Sequence, residues 1–268
     1  MAKLDSILIF GCGNMGGAML AGWLAGGLDP ARFIVVDPYL PGVPAGVTLL
    51  RELPPGPFDA VLLGIKPQML DDVAPVLAPL AGQGTALFSI LAGVELASLA
   101  ARFPDAGAIV RIMPNLSAAI GKSPMALFGQ GLDQAGRGAV SSLLAPLGTP
   151  EWLTAESDFD LVTALAGCGP GFVYRFIDAL ARGAARLGLD PAQAQRLAVA
   201  TVEGASALAA ASPHSPAELA RRVASPGGST QKGLDVLDAE GALFRLIEAT
   251  LVASRDRNAE MAAAARGA

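Results

Sequence analysis

Short apolar runs alternate with segments of helical periodicity along the first half of the chain. The apolar runs predict strands at Ile7–Phe10, Phe33–Val36, Ala60–Ile65, Ala86–Leu91, Ala108–Met113, Met125–Phe128 and Trp152–Thr154. The periodic segments predict helices at Asn14–Ala25, Gln68–Leu80, Val94–Arg102 and Gln134–Leu147. Strands and helices that alternate in this way need right-handed crossovers, so we predict a mostly parallel sheet with helices on its faces.

The hydrophobic pattern changes near residues 155–160, where the short runs give way to long segments rich in Ala and Leu. The spacing in this part predicts helices at Leu161–Ala166, Val173–Leu187, Pro191–Ala211, Gln231–Leu237 and Ala242–Ala265. We therefore predict two domains, an α/β domain over residues 1–157 and an all-helical domain over residues 158–268.

The composition excludes several classes of protein. Hydrophobic residues make up 52% of the 268 residues, which excludes a disordered chain, and the net charge of −5 argues against binding to nucleic acid or to a membrane surface. Cys12 and Cys168 are the two cysteines, far apart in sequence, so we predict neither a disulfide framework nor a metal site. No apolar run approaches the roughly 18 residues of a membrane span, and the N-terminal apolar stretch is short for a signal peptide. We expect a cytoplasmic protein.

A glycine-rich turn joins the first predicted strand to the first predicted helix, with the sequence Gly11-Cys12-Gly13-Asn14-Met15-Gly16. Such a turn lets the backbone approach a pyrophosphate, which the N–H groups and dipole of the helix N-terminus attract. The second predicted strand ends in Asp37, a residue type that accepts hydrogen bonds from ribose hydroxyls. The pattern predicts dinucleotide binding; the alternative is a tight turn without a ligand.

Asp37 also bears on the choice of cofactor. Its carboxylate would repel a ribose 2′-phosphate, and the residues that follow it (Pro38, Tyr39 and Leu40) include no compensating cation. This electrostatic argument favours NADH over NADPH. The alternative is a solvated aspartate in a movable turn.

Three further strand ends carry small or polar residues at the edge where open α/β sheets bind their ligands. These are Ile65-Lys66-Pro67, Ala92-Gly93 and Met113-Pro114-Asn115. Lys66 suits an anionic cofactor, although a solvated lysine before a helix-starting proline fits the pattern equally well.

Two glycine-rich segments lie in the helical half. Ser225-Pro226-Gly227-Gly228-Ser229-Thr230 leads into a predicted helix, where its N–H groups and hydroxyls suit a small carboxylate; the alternative is a capped turn between helices. Gly167-Cys168-Gly169-Pro170-Gly171 permits close approach of a backbone or a cofactor ring, or forms a hinge.

Together these segments resemble the pyrroline-5-carboxylate reductase family, along essentially the whole chain and in the family's order. The motifs are Phe10–Gly16, Ile65–Pro67, Met113–Asn115, Gly167–Pro170 and Ser225–Thr230. The resemblance implies a Rossmann-like N-terminal domain and an all-helical C-terminal dimerisation domain. It also implies the last step of proline biosynthesis, in which NADH or NADPH reduces 1-pyrroline-5-carboxylate to L-proline.

The resemblance implies roles for individual residues as well. The cofactor would be bound by Gly11, Cys12, Gly13, Asn14, Met15, Gly16, Asp37, Ile65, Lys66, Pro67, Ala92, Gly93 and Asn115. The substrate carboxylate would be bound by Ser225, Gly227, Gly228, Ser229 and Thr230, and the Thr230 hydroxyl would hydrogen-bond the ring nitrogen. The family also implies a homodimer, in some members a decamer, whose active sites combine both subunits.

The chain departs from the common family pattern at five positions. Leu116-Ser117 replaces Thr-Pro, Cys168 replaces a serine, Ala224 replaces a threonine, and Leu91 stands where a small residue is usual.

Two other functions fit parts of the pattern. A β-hydroxyacid dehydrogenase has a similar two-domain build, but alcohol oxidation needs a base, and the helix after Gly171 offers neither lysine nor histidine. A catalytically silent dinucleotide-binding regulator is the second alternative. The chain has one histidine, His214. This small number is compatible with an imine substrate that arrives protonated and needs orientation more than acid–base catalysis.

Overall fold

The computed structural model describes residues 4–266, and the side chains of residues 4–263. Residues 1–3 of the first predicted domain and residues 267–268 of the second therefore lie outside the described residues. The strands are β1 (Ile7–Phe10), β2 (Phe33–Val36), β3 (Thr48–Leu50), β4 (Ala60–Leu63), β5 (Ala86–Ser89), β6 (Ala108–Met113), β7 (Ser123–Gln130) and β8 (Gly148–Trp152). The helices are α1 (Asn14–Ala25), α2 (Leu70–Leu77), α3 (Leu96–Arg102), α4 (Gln134–Leu144), α5 (Phe159–Val162), α6 (Gly169–Arg186), α7 (Pro191–Ala211), α8 (Pro216–Val223), α9 (Ser229–Asp238) and α10 (Ala242–Arg266).

All eight strands form one sheet in the order β3-β2-β1-β4-β5-β6-β7-β8. Every neighbouring pair is parallel except β6 and β7, which are antiparallel. The order reverses between β1 and β4, which is the crevice where sheets of this kind bind dinucleotides. The predicted α/β class with a mostly parallel, Rossmann-like sheet is confirmed.

Alternate residues of the central strands enter separate cores on the two faces of the sheet. In β1, Ile7 and Ile9 belong to one hydrophobic core and Leu8 to the other, and all three are at most 1% exposed. Trp23 of α1 stacks on Phe33 with ring centroids 5.2 Å apart, and its Nε1 donates to the carbonyl oxygen of Leu143 at 2.8 Å. Because both faces of the central strands are buried, they read in the sequence as continuous apolar runs.

Some element boundaries differ from the prediction. Strand β3 was missed, since Thr48 is exposed and the strand is short. The helix predicted at Gln68–Leu80 is α2 flanked by two 3₁₀ turns, Pro67–Met69 and Ala78–Leu80. The last strand lies at Gly148–Trp152, not at Trp152–Thr154.

The chain forms two compact units, residues 4–168 together with 254–266, and residues 169–253. The second unit contains α6 to α9 and the first half of α10, so its regular elements are helices joined by short loops. This division by contacts differs from the predicted boundary between residues 157 and 158, because α5 and the π-helical turn Thr163–Gly167 pack with the sheet domain. Within residues 4–266 we find no helix that combines the length and the apolar character of a membrane span.

Candidate functional site

The turn between β1 and α1 depends on glycine at two positions. Gly11 has φ of +82°, and its N–H donates to the carbonyl oxygen of Val36 at 2.9 Å. A Cβ added at Gly11 would lie 2.9 Å from Cγ2 of Ile65, and one added at Gly16 would lie 3.0 Å from the carbonyl oxygen of Gly11. Side chains at these positions would push helix, turn and the end of β4 apart. The glycines therefore hold the start of α1 close to the edge of the sheet.

The N-terminus of α1 is open towards a ligand. Gly13 is the N-cap, no side chain caps the helix, and its first turn contains no acidic residue. A Cβ added at Gly13 would meet nothing within 4 Å. The first N–H groups of an α-helix have no intrahelical partner, so those of Asn14, Met15 and Gly16 are suited to bind an anion. The space beside Gly13 and the donors beyond it fit a pyrophosphate.

Asp37 lies beside this turn as the spacing predicted. Its Oδ2 accepts a hydrogen bond from the N–H of Cys12 at 2.9 Å, and its Oδ1 accepts from Tyr39 at 2.9 Å and Leu40 at 3.1 Å. Partial burial acts to raise the pKa of Asp37, but these three donors and the nearby charge of Arg51 outweigh it, so the pKa lies below its ordinary value. The carboxylate is thus ionised at neutral pH.

Arg51 is a residue of this site that the sequence reasoning missed. It directly follows β3, whose Leu50 pairs with Val36 of β2, and its Nη1 donates to the carbonyl oxygen of Asp37 at 2.6 Å. The expectation that Asp37 has no compensating cation is therefore wrong: Pro38, Tyr39 and Leu40 supply none, but Arg51 approaches from the neighbouring strand. Arg51 could have been found only by predicting that β3 pairs with β2, and β3 was itself missed.

The three other strand ends lie at the same edge of the sheet but differ in what they offer. Lys66 is exposed, three residues beyond the end of β4. It follows Ile65 and is the N-cap residue of the 3₁₀ turn that begins with Pro67, but its side chain makes no cap hydrogen bond. Asn115 is only 5% exposed, and both ends of its amide are used inside the protein. Its Nδ2 donates to the carbonyl oxygen of Ala166, and its Oδ1 accepts from the backbone N–H of Ser117, both at 2.9 Å. Asn115 thus ties its turn to the π-helical turn, and its side chain serves local structure.

Ala92 and Gly93 follow β5 and line a cavity of about 250 Å³. Gly93 has φ of +73°, and a Cβ added there would lie 3.3 Å from the backbone nitrogen of Ala262 in the last turns of α10. Met15 of the dinucleotide turn and Arg111 of β6 also line this cavity. The cavity therefore adjoins the predicted cofactor turn within the first compact unit.

The Ser225–Thr230 loop lies in the second compact unit and ends at the start of α9. Gly227 has φ of +73°, the N–H of Gly228 donates to the carbonyl oxygen of Ser225 at 2.9 Å, and a Cβ added at Gly228 would lie 2.4 Å from Oγ of Ser225. No side chain caps α9, its first turn contains no acidic residue, and Ser229 and Thr230 are exposed. This open helix N-terminus suits a carboxylate.

The segment around Cys168 is built for packing. Gly167 lies against Met113, because a Cβ added there would be 2.7 Å from the Sδ atom. The N–H of Cys168 donates to the carbonyl oxygen of Thr163 at 2.9 Å and closes the π-helical turn. In the described residues, no group of three or more His, Cys, Asp and Glu side chains could hold a metal ion.

Comparisons with known proteins agree with this geometry. Residues 156–261 match the family model described as pyrroline-5-carboxylate reductase dimerisation. The pyrroline-5-carboxylate reductase of Pseudomonas aeruginosa is 32% identical over 96% of this chain and 96% of its own. The reductase structure from Coxiella burnetii superposes with a TM-score of 0.89 at 28% identity, over 97% of this chain and 99% of that chain. The Plasmodium falciparum pyrroline carboxylate reductase, solved with NADP bound, shares the fold with a TM-score of 0.81 at 20% identity, over 98% of this chain and 100% of that chain. The chain therefore belongs to the pyrroline-5-carboxylate reductase family.

Proposed function

We propose that this chain reduces 1-pyrroline-5-carboxylate to L-proline with a reduced nicotinamide dinucleotide. The observation that carries the proposal is the Ser225–Thr230 loop, which presents an uncapped helix N-terminus and two exposed hydroxyls in a chain of the reductase family. A substrate with one carboxylate beside a ring nitrogen matches this pairing of N–H donors and hydroxyls.

The first turn of α1 fits the cofactor. Glycine at position 13 leaves open space beside the helix, and the helix N-terminus presents backbone N–H donors. The carboxylate of Asp37 can accept about four hydrogen bonds. Three of these come from backbone N–H groups, so one position is left for a ligand. We assign the pyrophosphate to the N–H groups of Asn14 and Met15, and a ribose hydroxyl to Asp37. When bound, the reduced cofactor supplies the hydride for the imine carbon.

The choice between NADH and NADPH rests on two opposite charges. Asp37 favours a ribose with a free 2′-hydroxyl, whereas Arg51 beside it offers exposed N–H donors to a 2′-phosphate. We propose that Arg51 offsets the repulsion by Asp37 and allows NADPH to bind. The preference for NADH stays a prediction.

The substrate would be held by the loop and the start of α9. The N–H groups of Ser229 and Thr230 would bind its carboxylate, and Thr230 Oγ1 would accept a hydrogen bond from the protonated ring nitrogen. That bond keeps the proton on nitrogen, so the double bond stays polarised and the carbon stays electrophilic. Hydride addition at the carbon then moves the π electrons to nitrogen and yields the neutral secondary amine without a further proton transfer. Catalysis is mainly orientation.

We propose a homodimer as the functional unit. The match to the dimerisation model covers the helical part, and exposed apolar side chains such as Tyr174, Phe176 and Leu180 of α6 and Phe244 of α10 suit burial against a second copy. A decamer and a cytoplasmic location stay predictions.

The dehydrogenase alternative finds neither a lysine nor a histidine on α6 to act as the base. The one carboxylate of this helix is paired with two cations, since Asp178 Oδ2 lies 3.4 Å from Arg175 Nη1 and 3.7 Å from Arg182 Nη1. An arginine does not lose its proton near neutral pH, so neither cation can accept one from an alcohol.

The test is a steady-state assay that follows the absorbance of NADH and of NADPH with and without 1-pyrroline-5-carboxylate. The proposal predicts oxidation that depends on the imine. Cofactor binding without turnover supports the regulatory alternative, and reduction of oxidised cofactor by a β-hydroxyacid supports the dehydrogenase.

A further inference from the structure

Arg111 is a buried cation in the middle of the apolar strand β6. It is 4% exposed, and its neighbours Val110 and Ile112 belong to the hydrophobic core on one face of the sheet. Taking a guanidinium out of water carries a large free-energy cost, and well-packed apolar residues can often replace a buried ion pair without loss of stability. Stability alone is therefore a weak reason for a buried charge at this position.

The contacts of Arg111 connect three segments of the first compact unit. Its Nη1 forms an ion pair with Oε1 of Glu156, and its guanidinium carbon lies 4.0 Å from the ring centroid of Phe159. The same Oε1 accepts a hydrogen bond from the N–H of Leu96 at 2.7 Å. Leu96 is the first residue of α3, so one carboxylate oxygen ties the start of this helix to β6.

Helix α3 begins directly after its N-cap residue, Glu95. Its N-cap residue makes no side-chain cap hydrogen bond, and its first turn contains no acidic residue. Glu156 supplies the acceptor and the negative charge that a helix N-terminus favours, from 60 residues further along the chain. The position of α3 therefore depends on the pair.

The segments that the pair connects are walls of the same cavity. Ala92 and Gly93 lie on the loop that leads into α3, and they line the 250 Å³ cavity together with Arg111, Phe159 and Met15. Met15 is part of the dinucleotide turn. A shift at Leu96 or Arg111 would thus move the wall that adjoins the cofactor turn.

We propose that Arg111 and Glu156 are positioning residues, which fix the loop at Ala92 and Gly93 so that the bound cofactor is held in the orientation for hydride transfer. This inference rests on the proposed function. It needs no contact of either residue with the substrate.

The test uses two substitutions that remove one charge each. Glu156→Gln keeps an acceptor for Leu96, and Arg111→Met keeps most of the side-chain length. We expect kcat to fall about 10- to 100-fold in each, because small misplacements of reacting groups are costly. We also expect a larger primary isotope effect on kcat with cofactor deuterated at the transferred position, since hydride transfer becomes the slower step.

A purely stabilising pair gives a different result. Partial unfolding lowers kcat in proportion to the folded fraction but leaves both KM values and the isotope effect unchanged, and that outcome would overturn the proposal. The control is Arg102→Met, which breaks the 2.6 Å ion pair between Arg102 Nε and Asp71 Oδ1 at the other end of α3. We expect unchanged kcat and isotope effect in this variant.

A binding measurement separates this proposal from the proposed function. Titration of NADPH, followed by its fluorescence, needs no turnover. If the wild-type chain binds NADPH but does not reduce the imine, the proposed function fails, and the dissociation constant still tests the pair. We then expect the dissociation constant for NADPH to rise about tenfold in Glu156→Gln, as when a few contacts to the cofactor are displaced, and to stay unchanged in Arg102→Met. Equal dissociation constants in all three proteins would contradict the positioning role.

Discussion

Thr230 is the residue that the proposed chemistry uses most directly, because its hydroxyl would hold the proton on the ring nitrogen. Thr230→Ala should lower kcat/KM about 5- to 30-fold, which corresponds to roughly 1–2 kcal/mol of transition-state binding. The hydroxyl is exposed, so its removal should not affect folding. Thr230→Ser is the matched control and should keep most of the activity. Equal kcat/KM in wild type and Thr230→Ala would show that the Thr230 hydroxyl takes no part in the reaction.

Arg51 is the residue that we propose allows the site to accept a 2′-phosphate. Arg51→Ala should lower kcat/KM for NADPH about 5- to 10-fold more than for NADH, the scale of one charged hydrogen bond at an exposed position. The matched control is Lys122→Ala, since Lys122 is also an exposed cation but belongs to none of the predicted cofactor-binding segments. Kinetics with both cofactors measures the ratio. An unchanged ratio in Arg51→Ala would exclude a role for Arg51 in cofactor choice.

Cys12 links the dinucleotide turn to stability at alkaline pH. Burial, and then the charge of Asp37, raise the pKa of its thiol from 9.0 to about 11. A group with a raised pKa contributes stability that is complete below its unfolded value and is lost as the pH rises through the folded value. The free energy of unfolding should therefore fall by about 2–3 kcal/mol between these two pH values on account of Cys12.

Cys12→Ala is the variant that isolates this contribution. Urea unfolding of wild type and variant, below pH 9 and near pH 11, gives the difference between their pH dependences. We expect a smaller alkaline loss in the variant. Parallel curves would show that the thiol does not titrate with a raised pKa.

At the scale of elements, α1 is held against the rest of the sheet domain by a close approach at Gly22. A Cβ added there would lie 2.0 Å from the carbonyl oxygen of Ala118. Gly22→Ala should therefore lower the free energy of unfolding by about 1–3 kcal/mol, the usual cost of overpacking. Gly17→Ala in the same helix is the control, because its Cβ would meet nothing closer than 3.9 Å.

The control variant should change the free energy of unfolding in the opposite direction. Alanine is the better helix former, so Gly17→Ala should stabilise the protein by about 0.5–1 kcal/mol. Chemical denaturation of the two variants gives both values. A Gly22→Ala variant as stable as Gly17→Ala would contradict the packing of α1 described here.

The central elements were predictable because burial on both sides makes strands such as β1 and β2 continuous apolar runs with unambiguous bounds. Strand β3 was not, since an edge strand of three partly exposed residues carries little pattern. The glycine turn and Asp37 followed from spacing. Arg51 and the internal use of Asn115 did not, because both depend on contacts between segments distant in sequence.

At the scale of the whole molecule, the proposed reaction requires both compact units. The dinucleotide turn belongs to residues 4–168, and the Ser225–Thr230 loop belongs to residues 169–253. Turnover thus needs a dinucleotide turn and a Ser225–Thr230 loop within the proposed homodimer, and loss of either element from both subunits should abolish it.

The most direct test follows the transferred hydrogen into the product. The full chain is incubated with 1-pyrroline-5-carboxylate and reduced cofactor that carries deuterium at the transferred position, and the product is examined by NMR. We expect L-proline with one deuterium at the former imine carbon. Binding of the cofactor without labelled proline, or deuterium at another carbon, would contradict it.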